Sequence, residues 1–390
     1  MTGNKKVAIV SCYFQPNYGS QLQAYATQRI LDKLGIANET ICIGGLRKEI
    51  NRAKYRYFIS RIFHLDTIRD KMATVRKVIA IRRYPDYARN SAIRKAKFDE
   101  FAVTMFRLSR IYGSKAELGR CAGDYSTFIV GSDQLWLPSN IEADYYTLNF
   151  VPDSIKKIAY ATSFGVSSLP HKQAVKATAF LGRLDSIAVR EKSGQDIVMK
   201  LTGRDVPIVC DPTLLFTAAE WDETAGASPH AGEKYIFCYF LGNNPPQREW
   251  VKRLKETTGC SIIQMQHCDE YISCDEVFAD HTPYDIGPKE FISLIRDAEY
   301  VCTDSFHCTV FAILYSKRFF TFRRYGKDST VSTNSRLYSL LSLAGLESRM
   351  LKGDEDTTAC SKSGIDYGPV HNRIDSLRQK SVEWLCNSLA

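Results

Sequence analysis

The chain has 390 residues, of which 44% are hydrophobic and 24% are charged, a balance typical of a folded globular protein rather than a disordered or fibrous one. The length predicts two domains. No stretch approaches the roughly 18 consecutive apolar residues of a membrane-spanning helix, and the first residues lack a secretory-signal pattern. We therefore expect a cytoplasmic protein.

The 12 cysteines are scattered along the chain and form no C-x-x-C pair. Without an export signal, such residues are expected to be reduced, and several lie in apolar runs where a thiol behaves as a small hydrophobic group. A zinc site made by His267, Cys268 and Cys274 is the alternative. We expect no metal.

The N-terminal residues predict the first β-α unit of an open parallel sheet. A strand from Lys6 to Cys12 precedes the turn FQPNYGS and an amphipathic helix from about Gln21 to Leu34, with Gly35 as its C-terminal cap. A second apolar strand, NETICIGG, follows directly.

The net charge of +9 originates in one segment, residues 46–110, which we call the basic segment. It contains 18 Lys and Arg against 6 Asp and Glu, is rich in tyrosine, and is predicted to be mostly helical. Such a segment fits an anionic membrane surface, where each cation contributes about 1 kcal/mol. The alternative is a solvated helical face. No nucleic-acid-binding motif is present, and nucleic acid is not an expected partner.

Strand and helix patterns alternate through the rest of the chain. Strands are predicted at 126–136 and 156–165, in SIAVRE and in VPIVCDPTLLF, and a polar connection after Phe216 leads to a second β-α series that begins at 235–244. The alternation predicts an α/β fold with two doubly wound, Rossmann-like domains. The predicted domains are 1–216, which includes the basic segment, and 217–390.

Two polar turns of the first domain are candidate binding sites. Asn17, Tyr18 and Gly19 follow the first strand, and Ser132 and Asp133 follow the strand FIV. Ligands of doubly wound sheets bind at the carboxyl ends of strands, where glycine permits close approach and polar side chains bind hydroxyl groups. The alternative at both turns is a helix cap.

The second domain carries a histidine at a predicted helix start. In the stretch VCTDSFHCTVFAIL, Asp304, Ser305 and His307 separate a buried strand from a buried helix. A helix N-terminus favours an anionic ligand and disfavours a protonated imidazole. We predict a functional His307 with Asp304 beside it, against the alternative of a core histidine.

Arginine and lysine follow two other predicted strands. Arg190 ends the strand of IAVREKSG, while Arg323, Arg324 and Lys327 follow a later strand and precede Arg336. Clustered cations of this kind bind carboxylate or phosphate. A solvated basic loop is the alternative. The chain lacks the P-loop, the G-x-G-x-x-G fingerprint and the H-E-x-x-H motif, which argues against a P-loop NTPase, a standard NAD enzyme and a zincin.

Taken together, the motifs resemble those of the polysaccharide pyruvyl transferase family. The matching pieces are the Asn17-Tyr18-Gly19 turn, FIVGSDQLW, KKIAYATSFG, VREKSG, DPTLLF, DSFHCTVFAI and NSRLYSLLSLAGLESR. The resemblance implies two GT-B-like domains around a cleft. It also implies transfer of the pyruvyl group of phosphoenolpyruvate to a sugar as a cyclic ketal, with release of phosphate. Cys308 stands where many members have glycine.

The resemblance ties His307 and Arg190 to activity. We expect His307 to act as general acid and base, with Asp304 as orienting group or proton acceptor. The expected donor-binding residues are Arg190, Ser305, Arg323 and Lys327. The expected acceptor-binding residues are Asn17, Tyr18, Gly19, Ser132 and Asp133.

The expected acceptor is a sugar of a surface polysaccharide or of its lipid-diphosphate-linked precursor, built at the inner face of the cytoplasmic membrane. No cofactor is expected, since phosphoenolpyruvate is a co-substrate. Two alternatives remain: a GT-B-like glycosyltransferase that uses a nucleotide sugar, and a non-catalytic protein of glycan assembly.

Overall fold

The computed structural model describes residues 5–59, 75, 77–266, 271–324 and 334–390. The described residues form two five-stranded sheets in which all neighbouring strands are parallel. The first sheet has the order β2-β1-β3-β4-β5 and contains β1 (Lys6–Val10), β2 (Asn38–Thr40), β3 (Tyr125–Val130), β4 (Lys156–Thr162) and β5 (Ser186–Val189). The second has the order β10-β9-β8-β6-β7 and contains β6 (Tyr235–Tyr239), β7 (Ser261–Gln264), β8 (Tyr300–Thr303), β9 (Arg318–Phe322) and β10 (Met350–Leu351). The predicted pair of doubly wound α/β domains is confirmed.

Helices flank both sheets. Those before the polar connection are α1 (Tyr18–Lys33), α2 (Arg47–Ile59), α3 (Pro85–Met105), α4 (Lys115–Arg120), α5 (Pro138–Ala143), α6 (His171–Gly182) and α7 (Lys192–Thr202). Those after it are α8 (Ala218–Asp222), α9 (Pro245–Thr258), α10 (Pro288–Asp297), α11 (Phe306–Leu314), α12 (Asn334–Ala344), α13 (Thr357–Lys362) and α14 (Tyr367–Leu389). Because helices cover both faces, the central strands are apolar at consecutive positions; Ala8, Ile9 and Val10 are all fully buried.

Two predicted elements differ from the observed ones. Helix α1 begins at Tyr18 rather than near Gln21, since the side chain of Asn17 caps it by accepting from the N–H of Ser20 at 3.1 Å. The stretch VPIVCDPTLLF forms no strand: it contributes an isolated bridge to β5, between Val189 and Ile208, and a 3₁₀ helix, Pro212–Leu215. Pro207 has no N–H with which to extend a ladder at this point.

The basic segment is helical over most of its described part, in α2, α3 and residues 77–83, but not at residues 106–110, while residues 60–74 and 76 lie outside the described ranges. Helix α3 connects the domains through Arg94, which donates to the carbonyl oxygens of Gln266 at 2.5 Å and Pro283 at 2.8 Å. No helix within the described ranges is long and apolar enough to cross a membrane.

Two further connections join the domains. The ring of Tyr18 stacks on Phe291 of the second domain, with centroids 4.3 Å apart, and its hydroxyl donates to the carbonyl of Ile286 at 2.9 Å. Helix α14, although it follows the second sheet, returns to the first: the hydroxyl of Ser381 accepts from the N–H of Cys210 at 3.0 Å. The predicted boundary at residue 216 lies between the two sheets, but the chain crosses it again at this last helix.

Candidate functional site

The two sheets share one strand order, 2-1-3-4-5 within each domain, which places their switch points between β1 and β3 and between β6 and β8. Ligands of doubly wound sheets bind at the carboxyl ends of strands beside such a point. The segments that follow β1, β3 and β8 contain Gly19, Asp133 and His307. The structure brings these segments into contact across the domain boundary.

His307 lies in the first turn of α11, which Ser305 caps by accepting from the N–H of Cys308 at 3.5 Å. Its imidazole packs against the backbone of Gly19, where a Cβ atom would lie only 2.0 Å from Nδ1. Its Nε2 lies 3.5 Å from Oδ2 of Asp211. Within the described ranges, this buried Nε2 has no hydrogen-bond partner. Gly19 therefore fixes the ring, and Nε2 is left facing a carboxylate.

Asp211 is the centre of a buried polar network. Its Oδ2 accepts from Nη1 of Arg190 at 2.7 Å and from the hydroxyl of Ser132 at 2.9 Å, and its Oδ1 accepts from the N–H of Thr213 at 3.0 Å. Burial raises the pKa of Asp211, but the charges of His307 and Arg190 outweigh burial and hold the pKa well below its usual range. Asp211 is thus an ionised carboxylate placed to stabilise a protonated His307.

The guanidinium of Arg190 is enclosed by protein groups. Besides its contact with Asp211, it donates to the hydroxyl of Ser132 at 3.1 Å, to Glu191 at 3.3 Å and to Asp133 at 3.5 Å. Its carbon Cζ lies 4.7 Å from the centre of the Phe306 ring. Burial lowers the pKa of Arg190, but its carboxylate neighbours outweigh burial and raise it. Arg190 is therefore well placed to organise the site's carboxylates.

Asp133 adopts a left-handed backbone conformation, with φ of 80°, directly after β3. Its Oδ2 accepts from the hydroxyl of Ser20 at 2.5 Å. Burial raises the pKa of Asp133, yet Arg190, His307 and Arg336 outweigh burial and lower the pKa to about 2. This second carboxylate is consequently ionised as well, and its contact with Ser20 places it next to α1.

Two arginines approach from the second domain. Arg324 follows β9 and donates from Nη2 to the carbonyl of Asp304 at 3.2 Å. Arg336 lies in the first turn of α12, with Nη1 4.0 Å from Oδ1 of Asp133. Arg323, one of the predicted donor-binding residues, instead bonds through Nε to the hydroxyl of Tyr338 at the exposed surface.

Asp304 has a different partner from the expected one. Its Oδ1 accepts from the N–H of Leu241 at 2.6 Å and its Oδ2 from the N–H of Gly242 at 2.8 Å. These bonds hold the turn that follows β6. The carboxylate that faces His307 is Asp211.

The predicted acceptor residues also separate into different environments. Asn17 is occupied as the cap of α1, and the side chain of Tyr18 is fully buried between the domains, so its ring presents no surface to an acceptor. Ser132 is buried in the network around Asp211. Of the predicted donor residues, Lys327 lies outside the described ranges.

A family model described as polysaccharide pyruvyl transferase matches residues 17–324. The chain belongs to the polysaccharide pyruvyl transferase family. The matched region includes Gly19, Asp133, Arg190, Asp211 and His307, so the buried network lies within it. Membership identifies the chain as a transferase.

Solved structures give more distant likenesses. UDP-GlcNAc 2-epimerase from Neisseria meningitidis, bound to UDP-GlcNAc, aligns with a TM-score of 0.46 and 10% identity and covers 98% of this chain and 100% of that chain. MurG from Acinetobacter baumannii aligns with a TM-score of 0.42 and 7% identity, covering 98% of both chains. The assignment to the family rests on the family match. No curated protein sequence matches the chain.

Arginine neutralises the carboxylates of this buried network. Arg190 forms ion pairs with Asp133, Glu191 and Asp211. Among the residues that the structure describes, no group of three His, Cys, Asp or Glu side chains is arranged to bind a metal ion. His267 and Cys268, two members of the alternative zinc site, lie outside those residues.

Asp211 was not predicted as a site residue. The sequence signal was its position at the end of a strand-like run, before Pro212, within the motif DPTLLF. Arg324 and Arg336 belonged to the predicted cationic cluster but were not selected as donor-binding residues. Since neighbouring side chains of a turn point in different directions, the sequence did not distinguish Arg324 from the surface residue Arg323.

A separate cavity of about 330 Å³ lies beside the turn that precedes α1. It is lined by Pro16 of that turn, by Tyr87 and Phe98 of α3, and by Gln266 and Tyr284 of the second domain, together with other residues of the basic segment. Most of this lining is apolar or aromatic. The cavity thus forms an apolar region next to the segment that carries Gly19.

Proposed function

We propose that this family member transfers the pyruvyl group of phosphoenolpyruvate to two hydroxyl groups of a sugar, forming a cyclic ketal and releasing phosphate. The observation that carries the proposal is the placement of His307. Its ring packs against Gly19 of the first domain, and its Nε2 faces the ionised Asp211. A histidine held against a carboxylate can exchange a proton with substrate.

In this mechanism, protonated His307 gives its proton to the methylene carbon of phosphoenolpyruvate, which makes the adjacent carbon electrophilic. A sugar hydroxyl forms a bond to that carbon, and its proton returns to His307. The carbon–oxygen bond to phosphate then breaks. A second hydroxyl closes the ring, and its proton leaves with phosphate. Asp211 stabilises the imidazolium before the first step and again after the hydroxyl proton returns, as its contact of 3.5 Å with Nε2 allows.

The first test is calorimetric binding of phosphoenolpyruvate, with UDP- and GDP-sugars as comparisons, followed by phosphate release in the presence of saccharide acceptors. The proposal expects phosphoenolpyruvate to bind and its phosphate to be released only with an acceptor. His307→Ala should remove turnover while the protein stays folded. Binding of a nucleotide sugar in place of phosphoenolpyruvate would replace the proposal with glycosyl transfer, and a His307→Ala variant with most of its activity would overturn the role of His307.

We also propose that the acceptor is lipid-linked and that the enzyme works at the inner face of the cytoplasmic membrane. Val75, Val78, Ile79 and Ile81 of the basic segment are exposed. They lie among basic residues and next to the apolar cavity, of which Ile81 forms part. An apolar surface with surrounding cations favours an anionic lipid surface.

A flotation assay tests this contact. At low salt, the protein should float with vesicles that contain phosphatidylglycerol and should remain unbound with phosphatidylcholine alone. Ile79→Asp should weaken flotation, because it places a negative charge in the exposed apolar surface. Absence of association with anionic vesicles at low salt would contradict the proposed membrane contact.

A further inference from the structure

Arg336 is a buried cation that lacks a close ion pair and a full set of hydrogen bonds. It is only 7% exposed, and its Nε has no hydrogen-bond partner within the described ranges. The carboxylate recorded nearest to it is that of Asp133, at 4.0 Å from Nη1. That same oxygen, Oδ1, already accepts from the N–H of Gln134 at 2.8 Å and from Arg190 at 3.5 Å. The protein therefore leaves the buried Nε of Arg336 unsatisfied.

The electrostatic surroundings of Arg336 agree with this geometry. Burial lowers its pKa to about 10, and the positive charges of Arg190 and Arg324 contribute to the lowering. Arg190 and Arg336 both lie over the ring of Phe306, at 4.7 and 5.9 Å from its centre. The two guanidinium groups repel each other, and they share one carboxylate oxygen, Oδ1 of Asp133.

Arg324 is a second cation with an unsatisfied hydrogen-bond donor. Its Nε is buried and has no hydrogen-bond partner in the described part of the chain. It lies 3.9 Å from Oδ1 of Asp304, but that carboxylate is occupied by the N–H groups of Leu241 and Gly242. Arg324 and Arg336, which precede and follow residues 325–333 in the sequence, therefore each have an Nε–H group that bonds to no described protein group.

We propose that Arg324 and Arg336 bind the phosphate group of the donor, and that Arg190 is a positioning residue that holds Asp211 and Asp133. The proposal rests on the proposed function, since it assigns the donor phosphate within the same site. A phosphate dianion matches two guanidinium groups in charge and accepts their N–H groups in bidentate fashion. Arg190 already donates four hydrogen bonds to protein groups, so it has less capacity to bind substrate than Arg324 and Arg336 have.

The test compares Arg336→Met and Arg324→Met with Arg318→Met as the charge-matched control. Arg318 begins β9 at the end opposite to the site and pairs with Glu299 at the surface. Binding of inorganic phosphate, phosphoenolpyruvate and pyruvate is measured by calorimetry. Each site variant should bind phosphate and phosphoenolpyruvate about tenfold more weakly or worse, since a charged hydrogen bond is lost, and should bind pyruvate almost as wild type does. The control should match wild type with all three.

Thermal unfolding gives a second measurement, which does not depend on phosphoenolpyruvate being the donor. Without ligand, Arg336→Met should unfold at a temperature equal to or above that of wild type, because it removes an unsatisfied buried charge. Saturating phosphate should then raise the unfolding temperature of wild type more than that of the variant. A variant that loses stability without ligand and keeps the full phosphate-induced rise would overturn the assignment.

The outcomes separate this assignment from the proposed function. If wild type binds phosphoenolpyruvate and both site variants bind it equally well, the phosphate assignment is wrong while the proposed function stands. If wild type binds inorganic phosphate through Arg336 but does not bind phosphoenolpyruvate, the assignment stands and the proposed donor is wrong. Loss of pyruvate binding with phosphate binding intact would move these arginines to the donor carboxylate and refute the phosphate assignment.

Discussion

The contact between Gly19 and His307 allows a sharp test of how the site is built. Substitution of Gly19 by alanine would place a Cβ at 2.0 Å from Nδ1 and 2.4 Å from Cγ of His307. Since ordinary contacts between such atoms begin near 3.5 Å, the ring must move by about 1.5 Å or the domains must separate. Overpacking of this kind typically costs about 1–3 kcal/mol.

The substitution should also impair function. A shift of about 1 Å in a catalytic group can lower the rate about 100-fold, and we expect a loss of that order in kcat/KM for phosphate release from Gly19→Ala. The stability effect is measured by denaturant unfolding of wild type, Gly19→Ala, His307→Ala and the double variant. In the His307→Ala background the clash is absent, and alanine is the better helix former by up to about 1 kcal/mol. The effect of Gly19→Ala should therefore change sign.

This sign change is the decisive observation, because it depends only on packing and not on the reaction. If Gly19→Ala destabilises both backgrounds equally, the glycine is needed for some reason other than the histidine ring. If Gly19→Ala retains kcat/KM within about twofold, the ring does not need the position that the structure gives it.

Three further predictions concern the buried network and the domain contact. Asp211→Asn should lower the free energy of unfolding by about 3–5 kcal/mol and abolish turnover, because it leaves Arg190 and His307 without their shared anion. Denaturant unfolding measures the first effect and phosphate release measures the second. An active, stable variant would contradict both expectations. Tyr18→Ala should cost about 3–5 kcal/mol in unfolding free energy, whereas Tyr18→Phe, which keeps the stack on Phe291, should cost only about 1 kcal/mol; equal losses would show that the stack contributes little. The depressed pKa of Asp133, about 2 against an ordinary 3.8, contributes stability that is complete above about pH 4 and is lost as the pH falls toward 2. The unfolding temperature of Asp133→Asn should accordingly decline less than that of wild type over this acid range, and parallel declines would refute the inference.

The sequence predicted the fold well because strand and helix periodicity are local signals. The alternation of apolar strands and amphipathic helices indicated both sheets, and the polar turns after β3 and β8 indicated the edge where Asp133 and His307 meet. Prediction failed where a single turn sends its side chains in different directions. Tyr18 and Gly19 are adjacent, but the first fills the domain interface and the second supports the ring of His307.

Long-range pairing was the other limit. Asp304 is three residues from His307 in sequence, and proximity suggested that the two interact. The carboxylate that faces His307, that of Asp211, is almost a hundred residues away and belongs to the other domain. Asp304 accepts from the backbone N–H groups of the turn after β6. These bonds depend on backbone geometry, which a sequence pattern does not reveal.

The return of α14 to the first domain has a consequence for biosynthesis. Trp384 lies against Tyr160, with ring centroids 6.1 Å apart, and Arg378 donates to the carbonyl of Leu214 at 2.6 Å. The first domain thus lacks part of its packing until residues near 384 have been translated. At about 5–20 residues per second, the ribosome needs roughly ten seconds or more after completing the first sheet to supply them. During that interval the nascent first domain exposes the surface around Tyr160, so its packing is completed only by the most distant part of the chain.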